Sequence, residues 1–428
     1  MKKMILTLAC LLVGLSGLAQ AANIGDVAIH GFVSQGYLKT DDVNYLADTT
    51  KGTYQFNEAG INFNYTRDKL RVGAQFFSRD LGDFGNNDVL LDWGMGEYRL
   101  FDELGFRAGR CKMPVGFYNQ GRDVDILRTP IFLPNSVYDE SMRDVCSAYN
   151  GFAIFGAIDA KFLGGFEYEA YVGGLNMDED SLFLKGKAEG IDQSLKSSLP
   201  PGLSAEVSNM DFEAKSTGGA TLRWETPLPG LRLGATYNLT KMEITSDMMV
   251  EISPLLVPPA GMTIPAKAWV DAEAQVFVYS GEFSWRNLIL AGEYFHMRIP
   301  ATDNVDGPDL GPMLDLDSKS SYVEHEGGWY ASASYQFLDW FTAGLYYSEF
   351  YRDLEDKDGQ WYVDAGLPAS YGWQKEWVPT LRFDPVKNWV IKGEIHFVDG
   401  SARCYDFNNP NGRPDDWTMF AIKTSYSF

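Results

Sequence analysis

The sequence predicts an all-β fold, a transmembrane antiparallel β-barrel of about 16 strands. Three observations support this prediction: an export signal, segments in which apolar and polar residues alternate, and connections that alternate between short and long. The composition agrees, because 428 residues that are 45% hydrophobic and 14% aromatic suit a barrel whose strands are apolar on one face only.

The first residues have the pattern of a secretory signal peptide. A lysine pair precedes an apolar run at 4–18, and a small-residue cleavage pattern ends at Ala21. We therefore predict a Sec-type signal peptide at 1–21 and a single barrel domain at 22–428. No later segment is apolar over the roughly 18 residues that a membrane-spanning helix needs. The expected destination is the periplasm, the Gram-negative outer membrane or the exterior.

The main secondary-structure signal is the alternation of apolar and polar residues. In the last segment Phe420, Ile422 and Tyr426 share one face, while Lys423 and Ser425 share the other. A period of two residues indicates strands. One apolar face and one polar face fit a barrel with lipid outside and water inside. A soluble sandwich would show the same alternation, so this signal alone does not decide between the two.

The lengths of the connections favour the barrel. We predict sixteen strands, at about 25–39, 54–66, 69–79, 89–101, 104–111, 150–160, 164–175, 213–226, 231–244, 269–285, 288–299, 325–337, 340–352, 373–384, 388–398 and 417–428. Tight turns, such as those at 67–68 and 286–287, alternate with long polar segments. Short turns at one end, long loops at the other and an even strand count are typical of outer-membrane barrels.

The net charge of −22 is concentrated in eight long segments. These predicted loops are 40–53, 80–88, 112–149, 176–212, 245–268, 300–324, 353–372 and 399–416. The acidity therefore belongs to one end of the barrel. It is either a solvated surface or a rim that bridges lipopolysaccharide through divalent cations or concentrates cations at the mouth.

Charged residues also fall on the polar faces of the predicted strands. A charge on the lipid face costs about 2–4 kcal/mol at the bilayer midplane, so these side chains are expected to face the lumen. The predicted lumen charges are Arg71, Arg99, Arg107, Arg223, Arg232, Arg382, Lys392, Lys423, Glu97, Glu167, Glu169, Glu225, Glu293 and Glu394. They either solvate the lumen and pair with one another, or form a basic ladder that guides anions.

The segment 112–149 is unusually apolar for an exposed loop. An apolar loop must be buried, and the space available for burying it is the inside of the barrel. We therefore predict that this third loop folds inward and narrows the pore. The predicted constriction residues are Lys112, Arg122, Asp123, Asp125, Arg128 and Arg143.

Two cysteines, Cys111 and Cys146, flank this loop. The periplasm permits disulfides. A bridge between the two would close a loop of about 35 residues and contribute roughly 3–4 kcal/mol in the chain-entropy model. We predict this pairing; the alternatives are two free thiols or a pairing with Cys404.

The stretch Arg110 to Asn119, followed by Arg122-Asp123-Val124-Asp125, resembles the Lys-x-Pro-hydrophobic-Gly loop of the phosphate-selective porin O and P family. The segment 30–37 is similar to the first strand of that family. The resemblance implies a sixteen-stranded barrel, usually trimeric, with an inward third loop. In that family an arginine ladder and a lysine cluster select phosphate. This sequence has no lysine cluster, and its loops are acidic.

Together these observations predict an outer-membrane porin for the passive diffusion of ions or small polar solutes, with no cofactor and no metal. The alternative is a barrel sleeve or scaffold, as in a porin–cytochrome electron conduit. No G-x-S-x-G motif is present, and we do not expect an enzyme. The histidines are expected at the rim or in the lumen; they are His30, His296, His325 and His396. Expected partners are outer-membrane lipid, lipopolysaccharide, small ionic solutes and further copies in a homotrimer, but not nucleic acid.

Overall fold

The structure is a computed structural model. It describes residues 22–24, 26–82, 85–143, 147–176, 185–186, 203–253, 261–306 and 318–428. The predicted signal peptide, 1–21, lies outside the described residues. Within the described ranges, no helix is long and apolar enough to cross a membrane.

Nearly all regular structure in these ranges is strand. The strands are β1 (Ala22–Ile24), β2 (Val27–Thr40), β3 (Asn57–Arg67), β4 (Leu70–Asp80), β5 (Val89–Phe101), β6 (Leu104–Lys112), β7 (Ala148–Asp159), β8 (Gly165–Gly174), β9 (Leu203–Glu225), β10 (Leu231–Ile252), β11 (Met262–Trp285), β12 (Leu288–Asp306), β13 (Ser318–Leu338), β14 (Phe341–Tyr351), β15 (Trp373–Val386), β16 (Trp389–Asp399) and β17 (Asp416–Ser427). The helical segments are α1 (Gln360–Asp364) and 3-10 turns at Asn119–Gly121, Asp125–Leu127, Lys161–Leu163, Ala369–Gly372 and Asp406–Asn408.

Sixteen of these strands, β2 to β17, form one closed antiparallel barrel. Each strand pairs with its neighbours in the chain. The last strand returns to the first barrel strand, with Met419 opposite Thr40 and Ser427 opposite Phe32. Closure leaves no strand edge open to lipid. The predicted fold and strand number are confirmed.

The barrel is apolar on its outer face and charged on its inner face. Outside, Val172, Leu345 and Leu381 remain 61%, 45% and 45% exposed. Inside, Lys392 and Lys423 are buried. A soluble protein has the reverse arrangement, because water covers its polar side chains. Lipid is the surrounding that suits such an outer face, so the barrel spans a membrane.

Belts of aromatic rings mark both edges of the apolar band. At the turn end, Phe341 stacks on Phe383 with ring centroids 5.1 Å apart. At the loop end, the ring centroids of Tyr347 and Trp377 are 4.6 Å apart. The loop-end belt follows the strand register and consists of Tyr279, Tyr294, Trp329, Tyr347 and Trp377. Such girdles lie at the membrane–water interfaces of outer-membrane barrels.

Strands β9 to β13 are longer than predicted, with 19 to 24 residues each. Much of the predicted loops 245–268 and 300–324, and the end of 176–212, is therefore strand. The interpretation of these segments as loops throughout is wrong.

The reason is that the apolar face changes sides where these strands leave the lipid. In β10 the outward Leu233 is exposed, whereas Met248 and Val250 on the inward face are buried. Beyond the apolar band the outer face is charged, and Lys215 pairs with Glu243 at 2.7 Å. The alternation changes phase at this boundary, so the sequence pattern breaks although the strand continues.

Substitution of Leu345 by Arg should lower the free energy of unfolding by about 2–4 kcal/mol, because it places a charge near the middle of the apolar band. Thr245→Arg is the matched control, since Thr245 is exposed on the part of β10 that lies beyond the band. Its effect should stay within about 0.5 kcal/mol. The measurement is guanidinium unfolding in phospholipid bilayers. Equal losses for both variants would contradict the placement of the band.

Candidate functional site

The third loop lies between β6 and β7, and its described residues, 113–143 and 147, fold into the barrel. On the far wall, the Lys392 ammonium of β16 donates to the backbone carbonyl of Asp125 at 2.6 Å. The next inward side chain on that strand, Glu394, accepts the backbone N–H of Ile131 at 2.7 Å. These bonds join the loop to the side of the barrel remote from its own strands. The predicted inward fold of this loop is confirmed.

The same loop also contacts the wall formed by the middle strands. Glu293 on β12 accepts the backbone N–H of Phe117 at 2.8 Å. Arg223 on β9 donates to the side-chain oxygen of Gln120 at 3.0 Å. The loop is therefore held from several directions and crosses the lumen.

Most charges of the loop are joined to the wall in one chain of alternating sign, the ion chain. In order of contact it consists of Asp92, Lys112, Asp123, Arg143, Glu58, Lys423 and Asp125, with Lys392 and Arg128 on the last carboxylate. Every member is buried or half-buried. Because neighbours have opposite charge, their attraction offsets part of the cost of removing each from water.

Asp125 is the junction of the ion chain. Its carboxylate contacts Lys423 at 2.8 Å and Arg128 at 3.1 Å, and it accepts the hydroxyl of Ser425 at 2.5 Å. Burial raises the pKa of this carboxyl, but Lys423, Lys392 and Arg128 outweigh burial and hold the pKa well below its usual range. Asp125 is therefore ionised at neutral pH, and it ties the loop to β16 and β17.

A second group, the Glu140 group, attaches the loop to the wall at β4. Glu140 contacts Arg122 at 2.7 Å and Arg79 at 3.3 Å. The six predicted constriction residues all belong to the ion chain or to this group; they are Lys112, Arg122, Asp123, Asp125, Arg128 and Arg143. The structure brings them together inside the barrel, and their role in narrowing a pore stays a prediction.

The predicted lumen charges lie on the inward register of their strands. Arg107 contacts Glu97 at 3.1 Å and Glu169 at 3.0 Å, and Arg232 contacts Glu282 at 2.9 Å. The other predicted members share this inward register; they are Arg71, Arg99, Arg223, Arg382, Lys392, Lys423, Glu167, Glu225, Glu293 and Glu394. For Arg107 and Arg232 these contacts favour the interpretation that the lumen charges pair with one another over the interpretation that they form a basic ladder for anions.

Sequence analysis missed four carboxylates that complete these groups. Glu58 and Glu282 lie on strands at inward positions, so the alternation of their strands carried the signal for them too. Asp92 has the parity opposite to Glu97 and faces inward only because a β-bulge shifts the register of β5 opposite Gln75 and Phe76, which alternation does not reveal. Glu140 lies in the loop, where no period of two residues applies. Only the path of the folded loop brings Glu140 to Arg79.

Of the two cysteines in the predicted disulfide, the structure describes Cys111 alone. Cys111 and Cys404 are both buried, and no disulfide joins these two cysteines. The predicted partner of Cys111, Cys146, lies outside the described residues. The pairing of Cys111 with Cys146 therefore stays a prediction.

The fold is shared with solved outer-membrane barrels. OmpF of Salmonella typhi, in a complex with daunomycin, is 12% identical, with 94% of this chain and 97% of that chain covered and a TM-score of 0.55. OmpT of Vibrio cholerae is 11% identical, with 96% and 100% covered and a TM-score of 0.52. The outer membrane channel DcaP of Acinetobacter baumannii is 13% identical, with 94% and 97% covered and a TM-score of 0.50.

At these identities the likeness concerns the fold alone. No protein-family model and no curated protein matches the chain. The chain thus has the fold of outer-membrane β-barrels, and the resemblance to the phosphate-selective porin O and P family is not confirmed.

Asp125→Asn should destabilise the folded barrel by about 3–5 kcal/mol, because it leaves Lys392 and Lys423 buried beside an uncharged side chain. Asp48→Asn is the matched control: Asp48 pairs with Lys51 at 3.5 Å, and the two side chains are 60% and 84% exposed. Loss of that pair should cost about 0–1 kcal/mol. Denaturant unfolding of the two variants measures the difference. A loss for Asp125→Asn no larger than that of the control would show that the junction does not hold the loop.

Proposed function

We propose that this chain is an outer-membrane porin through which ions or small polar solutes diffuse passively, with loop 113–147 as its constriction. The observation that carries the proposal is the attachment of this loop across the barrel, from Asp125 at β16 and β17 to Gln120 at β9. A solute that crosses the barrel must then pass between the loop and the wall. Charged groups along that gap act on its size and charge selectivity, and no catalytic residue is needed.

The outer membrane is the location that best suits this barrel. The apolar band, the two aromatic belts and the even number of strands are typical of outer-membrane barrels, and the solved proteins with this fold are described as outer-membrane proteins. We place the long loops on the outside of the cell. Outer-membrane lipid, lipopolysaccharide and two further copies of the chain are the proposed partners.

The charges at the proposed constriction favour anions over cations. Among the described residues of the ion chain and the Glu140 group, seven cationic side chains face five carboxylates. The predicted outer loops are acidic and act in the opposite direction. Since the narrowest section governs permeation most strongly, we expect a weak preference for anions. Phosphate is not part of the proposal.

The sleeve of a porin–cytochrome conduit is the second candidate. A sleeve needs a lumen wide enough for a folded cytochrome. The described residues of loop 113–147 lie in the lumen and are bound to the wall through buried charges such as Asp125 and Lys423. The contacts of this loop therefore favour the porin.

The purified protein should give ohmic conductance steps in planar lipid bilayers bathed in potassium chloride, because the proposed path is filled with water. The size of the steps reports the width of the path. Absence of current together with co-purified haem would contradict the porin and favour the sleeve.

The double variant Arg122→Gln and Arg128→Gln should shift the reversal potential in a salt gradient toward cations, because it removes two positive charges from the proposed constriction. The control variant is Lys215→Gln with Lys241→Gln, which removes the same charge from the outer face, where both lysines form exposed ion pairs. The control should keep the wild-type reversal potential. An unchanged potential in the arginine variant would refute the assignment of the constriction.

A further inference from the structure

Two of the four histidines meet on the outer face of the barrel, just beyond the loop-end belt. His296 lies two residues past Tyr294 on β12, and His325 lies four residues before Trp329 on β13. The strand register sets His325 opposite Arg298 and makes the two histidines diagonal neighbours. Their side chains point away from the lumen, so the proposed constriction does not use them.

The two imidazoles approach each other through their nitrogens. Nε2 of His296 is 3.3 Å from Nδ1 of His325, the ring centroids are 5.5 Å apart, and the ring planes differ by 12°. Rings in this arrangement lie nearly edge to edge. The facing nitrogens are within hydrogen-bond distance, and they converge on one point beside the pair when both rings turn toward it.

This separation equals that of two imidazoles bound to one metal ion. Zinc binds histidine nitrogen at about 2.0–2.1 Å, and a tetrahedral angle then places two such nitrogens about 3.3 Å apart. We propose that His296 and His325 form a surface site for a late first-row divalent ion, namely Zn²⁺, Cu²⁺ or Ni²⁺. Within the described ranges, no group of three or more His, Cys, Asp or Glu side chains is placed to hold a metal, so water completes the coordination.

The surroundings hold the two rings in place. The ring of Phe277 packs on His296 with centroids 6.2 Å apart and planes 23° apart. Both histidines lie within continuous strand pairing on β12 and β13, which sets the positions of their backbones. The backbone positions of both ligands are therefore set before a metal binds, and this preorganisation favours affinity.

The nearby charges act in both directions. Arg298 lies opposite His325 and opposes a bound cation. The backbone N–H of Leu354 donates to the carbonyl of His325 at 2.7 Å, and the chain neighbours of Leu354, Asp353 and Glu355, are exposed carboxylates.

The test uses the folded, untagged protein in detergent, titrated with Zn²⁺ by calorimetry. We expect one Zn²⁺ ion per chain. His296→Gln and His325→Gln should each weaken binding by more than the roughly tenfold that loss of an outer-shell partner costs, because each removes a direct ligand. With Cu²⁺ in place of Zn²⁺, electron paramagnetic resonance should show two nitrogen ligands in the wild type and one in each variant.

His30→Gln is the matched control, since His30 also lies on a strand, is exposed, and is far from the pair in the register. This variant should bind Zn²⁺ as the wild type does. The proposal is overturned by absence of binding at millimolar Zn²⁺, by equal binding of the wild type and both pair variants, or by loss of binding in His30→Gln. Conductance plays no part in this readout, so its outcome is independent of the porin proposal.

Discussion

The molecule depends on one constraint: lipid offers no hydrogen-bond partner to a peptide backbone. The sixteen strands meet it by pairing around a full circle, with β17 back on β2. Once the circle is closed, alternate side chains point to lipid and to the interior. The exposed apolar band and the charged inner wall both follow from closure. The charged inner wall is in turn the surface to which the third loop binds.

Charges, more than apolar contacts, determine where the third loop lies. Phe132 does stack on Phe56, with centroids 5.3 Å apart. Apolar packing has little directional preference, whereas Asp125 must face Lys392 and Lys423 or leave Lys392 without this carboxylate and Lys423 with Glu58 alone of its two carboxylates. Buried ion pairs add little net stability, but the loss of one partner is costly. The ion chain therefore selects one position of the loop against others of similar apolar burial.

The long strands β9 to β13 continue beyond the membrane, and there too the surroundings of each face determine whether its side chains are apolar or polar. Within the lipid their apolar side chains face outward, and beyond it they face inward, as Leu233 and Met248 of β10 show. The strand continues while its solvent changes. This change of solvent brings charged and titratable side chains to the outer wall next to the membrane, and the pair of His296 and His325 lies in that zone.

Alternation, turn spacing and the apolar composition of residues 112–149 are properties of the sequence, and by themselves they determined the barrel, its strand number and the burial of the third loop. Each depends on residues close together in the chain. Only the tertiary structure decided which charges meet. Asp125 reaches Lys423, Glu140 reaches Arg79, and His296 reaches His325 because closure and strand register bring distant segments together. The tertiary structure also decided where β10 ends. The alternation of β10 is interrupted by a change of solvent and not by a break in the strand.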